Sequence, residues 1–284
     1  AMLYNTYGIQ NTAVGRSALQ ANTTGGYNVA VGMAAGCGNT TGIHNTYVGY
    51  AAGITNSTSE GNTGLGYDTL YYNTASQNTA VGDQALQANT TGCRNTAVGA
   101  YALQDNNTGL YNAAFGRTAL VNNTCGCFNT ALGTYAGYGN LTGLANTYLG
   151  YAAGYTSITS SGNTGVGTQA LYSNTGEGNT AMGNCALVYN TTGIYNTAVG
   201  YKPLYCNTTG SCNVSIGHCA SYYTLSGTGA IAIGEEALKT TTGQGNTIAI
   251  GAQALKSLTT GSGNMAIGAC AMRITTTGLS NLAI

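Results

Sequence analysis

The chain has 284 residues, among them 45 glycines, one proline and no tryptophan, and only 5% are charged, against a usual share of about 25%. Seven basic and seven acidic side chains cancel, which excludes the electrostatic footprint of a nucleic-acid or anionic-membrane binder. No apolar run is long enough to span a bilayer, and no signal peptide opens the chain.

From the first residues onward the chain repeats itself. Asn11-Thr-Ala-Val-Gly15 returns as Asn78 to Gly82, Asn95 to Gly99 and Asn196 to Gly200, with near-copies between. The closing glycines run from Gly15, Gly32 and Gly49 to Gly268 in steps of 17 residues, two steps being 16. A period of that size marks a stacked repeat architecture. Disorder, the ordinary reading of a Gly/Asn/Thr-rich chain, conflicts with the regular Val, Leu and Ala.

Counting from the Asn as position 1, each repeat reads approximately N-T-A-V-G-x-x-A-L-x-x-N-T-T-G-x-x. A unit with two or three Gly cannot hold a helix pair. Two short strands, at positions 1–5 and 7–10, joined by tight turns fit better. The expected fold is all-β: a parallel β-solenoid of about 17 rungs, roughly 80 Å long at ~4.8 Å per rung. Residues 28–128 and 129–229 align as six-rung super-repeats. From Ala230 the lettering shifts from Ala-Val-Gly to Ala-Ile-Gly without losing step, so residues 1–284 read as one continuous repeat domain. Both ends fall inside a repeat, as expected for a window on a longer fibre chain.

Strand alternation puts positions 3 and 5, mostly Ala and Gly, on one face and positions 2 and 4 on the other. The small residues suit the inside of a thin roll. Val14, Val31, Val48, Val81, Val98, Val199, Ile233, Ile250 and Ile267 then form an outward apolar stripe, larger than a monomer tolerates. Copies of the same chain are the preferred cover, three around an axis being the natural closed form. The alternative is a wider monomeric roll that position 4 fills.

The Asn-x-Ala-Ile-Gly-x-x-Ala phrase, clearest at Asn264 to Gly268 and Ala230 to Gly234, resembles the head repeats of trimeric autotransporter adhesins. The Asn-Thr-Ala-Val-Gly form resembles repeats of long bacterial and phage fibre proteins. The resemblance covers essentially the whole chain. It implies a left-handed parallel β-roll, trimeric, displayed outside the cell or on a virion and used for attachment. The adhesin head repeat is shorter than this one, and neither a coiled-coil stalk, a membrane anchor nor a fibre-tip chaperone accompanies it here.

No catalytic, cofactor or metal constellation emerges. His44 and His218 lie about ten rungs apart, and the acids, Glu235-Glu236 included, are scattered over different repeat positions; the adjacent pair reads as a solvated turn. No carboxylate pair, nucleophile elbow or phosphate loop is recognisable. Nine cysteines have varied repeat positions and no metal spacing. Cys206 and Cys212, flanking one Asn-Thr-Thr-Gly turn, are the pair to consider for a disulfide.

The Asn-Thr-Thr segment creates N-glycosylation sequons at Asn22, Asn39, Asn56, Asn89, Asn106, Asn122, Asn140, Asn190, Asn207 and Asn213. On an exposed turn these would form a sugar ridge that keeps a charge-poor protein in solution. Against it stands the preference of Asn and Thr for turns through their own hydrogen bonds, and the capacity of stacked Asn for amide ladders. Twenty-two tyrosines concentrate at turn-side positions, either as covers of the rung edges or as a platform for carbohydrate. The sequence as a whole reads as a structural segment of an extracellular fibre that associates with copies of itself, with carbohydrate as a second partner. An adhesin or tail-fibre shaft is the alternative, and an ice-binding solenoid, suggested by the Thr file at position 2, a third.

Overall fold

A computed structural model describes residues 1–243 and 245–284. The chain divides into two compact units, Ala1–Leu144 and Ala145–Ile284, where the repeat itself shows no seam. In the first unit the strands are Thr12–Val14 (β1), Val29–Val31 (β2), Thr46–Val48 (β3), Thr63–Leu65 (β4), Thr79–Val81 (β5), Thr96–Val98 (β6), Ala113–Phe115 (β7) and Thr130–Leu132 (β8). The second unit carries Thr147–Leu149 (β9), Thr164–Val166 (β10), Thr180–Met182 (β11), Thr197–Val199 (β12), Val214–Ile216 (β13), Ile231–Ile233 (β14), Ile248–Ile250 (β15), Met265–Ile267 (β16) and Leu282–Ala283 (β17). Within each unit successive strands pair in parallel and in register, as Thr79 with Thr96 and Ile231 with Ile248. Both units are therefore parallel β-solenoids with one strand per rung.

The strand is confined to positions 2–4 for local reasons. Thr and Val are β-branched and suit the pleated surface, and the glycine at position 5 ends it. Gly99 has φ 132°, and a Cβ placed there would lie 2.6 Å from the Gly116 carbonyl carbon. No side chain fits where rung backbones approach so closely.

The second strand expected at positions 7–10 does not form. Its place is taken by overlapping four-residue turns, closed by Ala102 N–H to Gly99 O (3.2 Å), Gln104 N–H to Tyr101 O (3.3 Å) and Asn106 N–H to Leu103 O (3.1 Å). Tyr101 at φ 61° and Leu103 at φ 50° hold the positive φ that a type II turn needs at its third residue. Side chains normally avoid that region at about 1–2 kcal/mol per residue, which is why Tyr and Leu there give no turn signal. Two things offset the cost: Leu103 is fully buried, and the rung-to-rung ladder continues through the turns. Tyr101 N–H reaches Asp83 O at 2.8 Å, Leu103 N–H Ala119 O at 3.0 Å and Asp105 N–H Val121 O at 3.0 Å.

The interior is narrow and mixed. Alanines of positions 3 and 8 (Ala97, Ala102) and leucines of position 9 (Leu86, Leu103, Leu120) are fully buried. So are the asparagines of positions 1 and 12, such as Asn95 and Asn106.

Candidate functional site

Position 1 closes the rung. Asn95 Nδ2 donates across the interior to Gly109 O at 2.8 Å, and Asn95 Oδ1 accepts the backbone N–H of Asn112 at 2.9 Å. Position 12 forms an amide ladder. Asn106 Nδ2 donates to Asn89 Oδ1 (2.7 Å) and to Gly109 O (3.0 Å), and Asn106 Oδ1 accepts from Asn123 Nδ2 (2.7 Å). The same ladder links Asn22 to Asn39 and Asn190 to Asn207.

This geometry corrects the sugar ridge. Asn22, Asn39, Asn56, Asn89, Asn106, Asn140, Asn190 and Asn207 sit at position 12 and Asn213 at position 1, all essentially unexposed. Each Nδ2 lies in the interior, donating to a carbonyl of its own rung, so a glycan there would have to fill the core. Asn122 is partly buried and donates to Tyr138 O at 2.8 Å. What faces solvent in these sequons is the Thr at position 14, as at Thr24, Thr41, Thr91 and Thr108. The first Thr bonds along the rung direction, Thr23 Oγ1 donating to Thr40 O at 3.1 Å.

Cysteine assignments change as well. All nine cysteines are free thiols, Cys206 and Cys212 included. Their backbones are held toward opposite neighbours: Cys206 N–H bonds to Tyr222 O in the following rung and Cys212 N–H to Ile194 O in the preceding one.

The outward strand face holds positions 2 and 4. Val31, Val48, Val81, Val98, Val199, Ile233, Ile250 and Ile267 are half-buried by their neighbours in the file, while Val14 is 57% and Leu132 52% exposed. No charged residue occupies position 2 or 4 in any rung. In the first unit the face alternates Thr with Val or Leu over β3–β6. From β13 onward both positions are aliphatic or Met: Val214 and Ile216, Ile231 and Ile233, Ile248 and Ile250, Met265 and Ile267.

Aromatics of like position stack at the rung spacing. Tyr50 and Tyr67 lie 5.2 Å apart at 10°, Tyr155 and Tyr172 5.0 Å at 3°, and Tyr201 and His218 5.5 Å at 8°. Such stacks stabilise the rung edge. Arg94 lies over the Tyr111 ring at 5.2 Å and donates to Gln77 Oε1 at 2.8 Å.

Glu235 and Glu236 differ, contrary to the single solvated turn expected. Glu235 is largely exposed, 3.9 Å from His218. Glu236 is mostly buried and accepts from Lys239 Nζ (2.6 Å), Lys256 Nζ (2.5 Å) and Gln253 Nε2 (3.2 Å). The lysine hydrogen bonds hold its carboxyl down at about 2. The cluster thus sets one carboxylate between two ammonium groups from different rungs.

Sequence reading missed two core features. Tyr47 and Tyr148 replace the position-3 Ala and are fully buried. Tyr47 Oη accepts from Asn56 Nδ2 at 2.7 Å, and Tyr148 Oη donates to Ser157 Oγ at 2.7 Å. Each ring takes the room of a missing position-9 leucine: a Cβ on Gly53 or Gly154 would stand 2.3 Å from the ring. Burial raises both phenol pKa values well above the ordinary one. The available signal was the pairing of Tyr at position 3 with Gly at position 9. Among the described residues no group of His, Cys, Asp and Glu could hold a metal ion, no ligand-sized pocket forms, and no helix is long and apolar enough to cross a membrane.

No known protein-family model and no curated protein matches the chain.

Proposed function

We propose that the chain is a structural repeat segment of an extracellular fibre, associating with copies of itself through the outward strand face. The observation that carries this is the charge-free face of positions 2 and 4, chiefly Thr beside an apolar residue up to β12 and aliphatic or Met at both positions from β13, regular from rung to rung. A second copy presents the same period, so its side chains interdigitate rung by rung, which a non-repeating partner cannot do. The extracellular placement rests on the resemblance of the repeat phrase to adhesin heads and fibre shafts. Sugar on the Asn-Thr-Thr asparagines has no part in the proposal.

The test is sedimentation of the chain with Val98→Asp or Ile250→Asp. Both side chains point outward, so each variant keeps the circular dichroism of the parent and loses self-association. A parent that sediments as a monomer, or variants that associate like the parent, refutes the reading. A second reading, binding to ice, draws on the in-register threonines Thr46, Thr63, Thr79 and Thr96; thermal hysteresis of the purified chain separates it. The adhesin reading is tested by binding to a glycan array.

A further inference from the structure

The rung of residues 213–229 is built differently inside from the rung that precedes it. Position 3 is Ser215 instead of Ala, position 9 Ser221 instead of Leu, and position 12 Thr224 instead of Asn. All three side chains are buried, at 0%, 1% and 0% exposure. Ser215 Oγ, Ser221 Oγ and Thr224 Oγ1 have no hydrogen-bond partner, and neither has Asn207 Oδ1, the ladder acceptor that an Asn at position 224 would have met. Four buried unpaired oxygens around one rung are far from the native norm, in which such groups are bonded to protein or to ordered water.

Two other rungs show that these positions face one interior lane. Tyr47 starts at position 3, its ring passes the position-9 Gly53, and its hydroxyl meets the position-12 Asn56 at 2.7 Å. Tyr148, Gly154 and Ser157 repeat the arrangement. In most other rungs the position-9 leucine fills the lane. Compared with Ala198, Leu204 and Asn207 of the preceding rung, the trio Ser215, Ser221 and Thr224 has two fewer side-chain heavy atoms. That deficit is large enough to admit a water molecule, whose share of liquid volume is ~30 Å³.

We infer that this lane is a buried water site, one internal water bridging Ser215, Ser221, Thr224 and Asn207. The valences balance. The water donates to Asn207 Oδ1 and one hydroxyl oxygen and accepts from the other two hydroxyls, within the two to four partners usual for internal water. The four oxygens are all neutral, so a cation placed there would lose its hydration with no counter-charge to offset it.

A high-resolution crystal structure of the full chain tests the assignment directly. One density peak within hydrogen-bond distance of the four oxygens is expected. A lane without a peak overturns the inference, as does a peak at the short contacts of a coordinated cation, about 2.3–2.6 Å. Thermal midpoints give an independent solution test. Ser221 has φ 50°, matching Leu204 at 47° and Leu238 at 52°, so the backbone accepts Ser221→Leu. If water occupies the lane, Ser221→Leu expels it, strands three oxygens and lowers the midpoint by a few degrees, more than Ser221→Ala, which leaves the water three partners. If the lane is dry, Ser221→Leu fills it and raises the midpoint. That rise would sink the proposal, and if Ser221→Leu fails to fold the crystal structure still decides.

Discussion

Asn106→Ala removes one member of the position-12 ladder, and its cost can be worked from the bonds. Asn89 Oδ1 loses its donor, and one N–H of Asn123 loses its acceptor. Gly109 O keeps a partner, because Asn95 Nδ2 also donates to it at 2.8 Å. Two buried groups are thus orphaned, at about 1–3 kcal/mol each, so the substitution destabilises by about 2–6 kcal/mol. Thr108→Ala abolishes the same sequon from the exposed side and stays within about 0.5 kcal/mol of the parent. A repeat array need not unfold in one step, so local opening energies from native-state hydrogen exchange over residues 89–123 are the appropriate assay. An Asn106→Ala variant with protection equal to that of Thr108→Ala would refute the buried ladder. Intact mass supplies a cross-check: chain expressed by a glycosylating host carries no sugar on Asn106.

Three further outcomes follow from the same geometry. Leu103→Ala, at a fully buried position, costs about 2–5 kcal/mol, read as lost exchange protection around residues 86–120. Gly53→Ala drives a Cβ to 2.3 Å from the Tyr47 ring and lowers the thermal midpoint, whereas Tyr47→Ala with Gly53→Leu, which restores the prevailing rung interior, recovers most of the loss. Glu236, held at about 2 against an ordinary 4.5, contributes stability that is fully present above pH 4.5 and lost as pH falls toward 2. A pH series of thermal midpoints therefore falls more steeply in that window for the parent than for Glu236→Gln, and parallel curves would show the ion cluster to be inert.

The sequence made the period, the parallel stack and the facing of positions 2–4 legible, because a strand shows its alternation in three residues and sixteen copies repeat it. It concealed the second half of the rung. Leu103 and Tyr101 sit at positive φ, and nothing in a Leu or a Tyr announces that. It also misdirected on Asn106, because a sequon carries a presumption of surface and Asn is usually a turn residue. The correcting signal lay in the substitutions at position 12, which admit Ser157, Thr224, Thr241, Leu258 and Thr275 but no charged residue. An exposed turn position in a protein short of charge would not have been so selective. Glu236 was misread for a related reason, since its partners Gln253 and Lys256 lie a full rung away.

The amide files also have a direction. Asn39 donates to Asn22, Asn106 to Asn89, Asn123 to Asn106 and Asn207 to Asn190, and the backbone of Asn28 donates to the side chain of Asn11. In each case the later residue gives the hydrogen. Along these files a completed rung presents side-chain acceptors to the one that follows, and a break leaves an oxygen wanting, as at Asn39 and Asn207. Synthesis proceeds in the same sense. Each rung leaving the ribosome brings its asparagine amide donors to asparagine oxygens already fixed in place, so the coil is expected to be laid down from its N-terminal side, every turn serving as the template for the next.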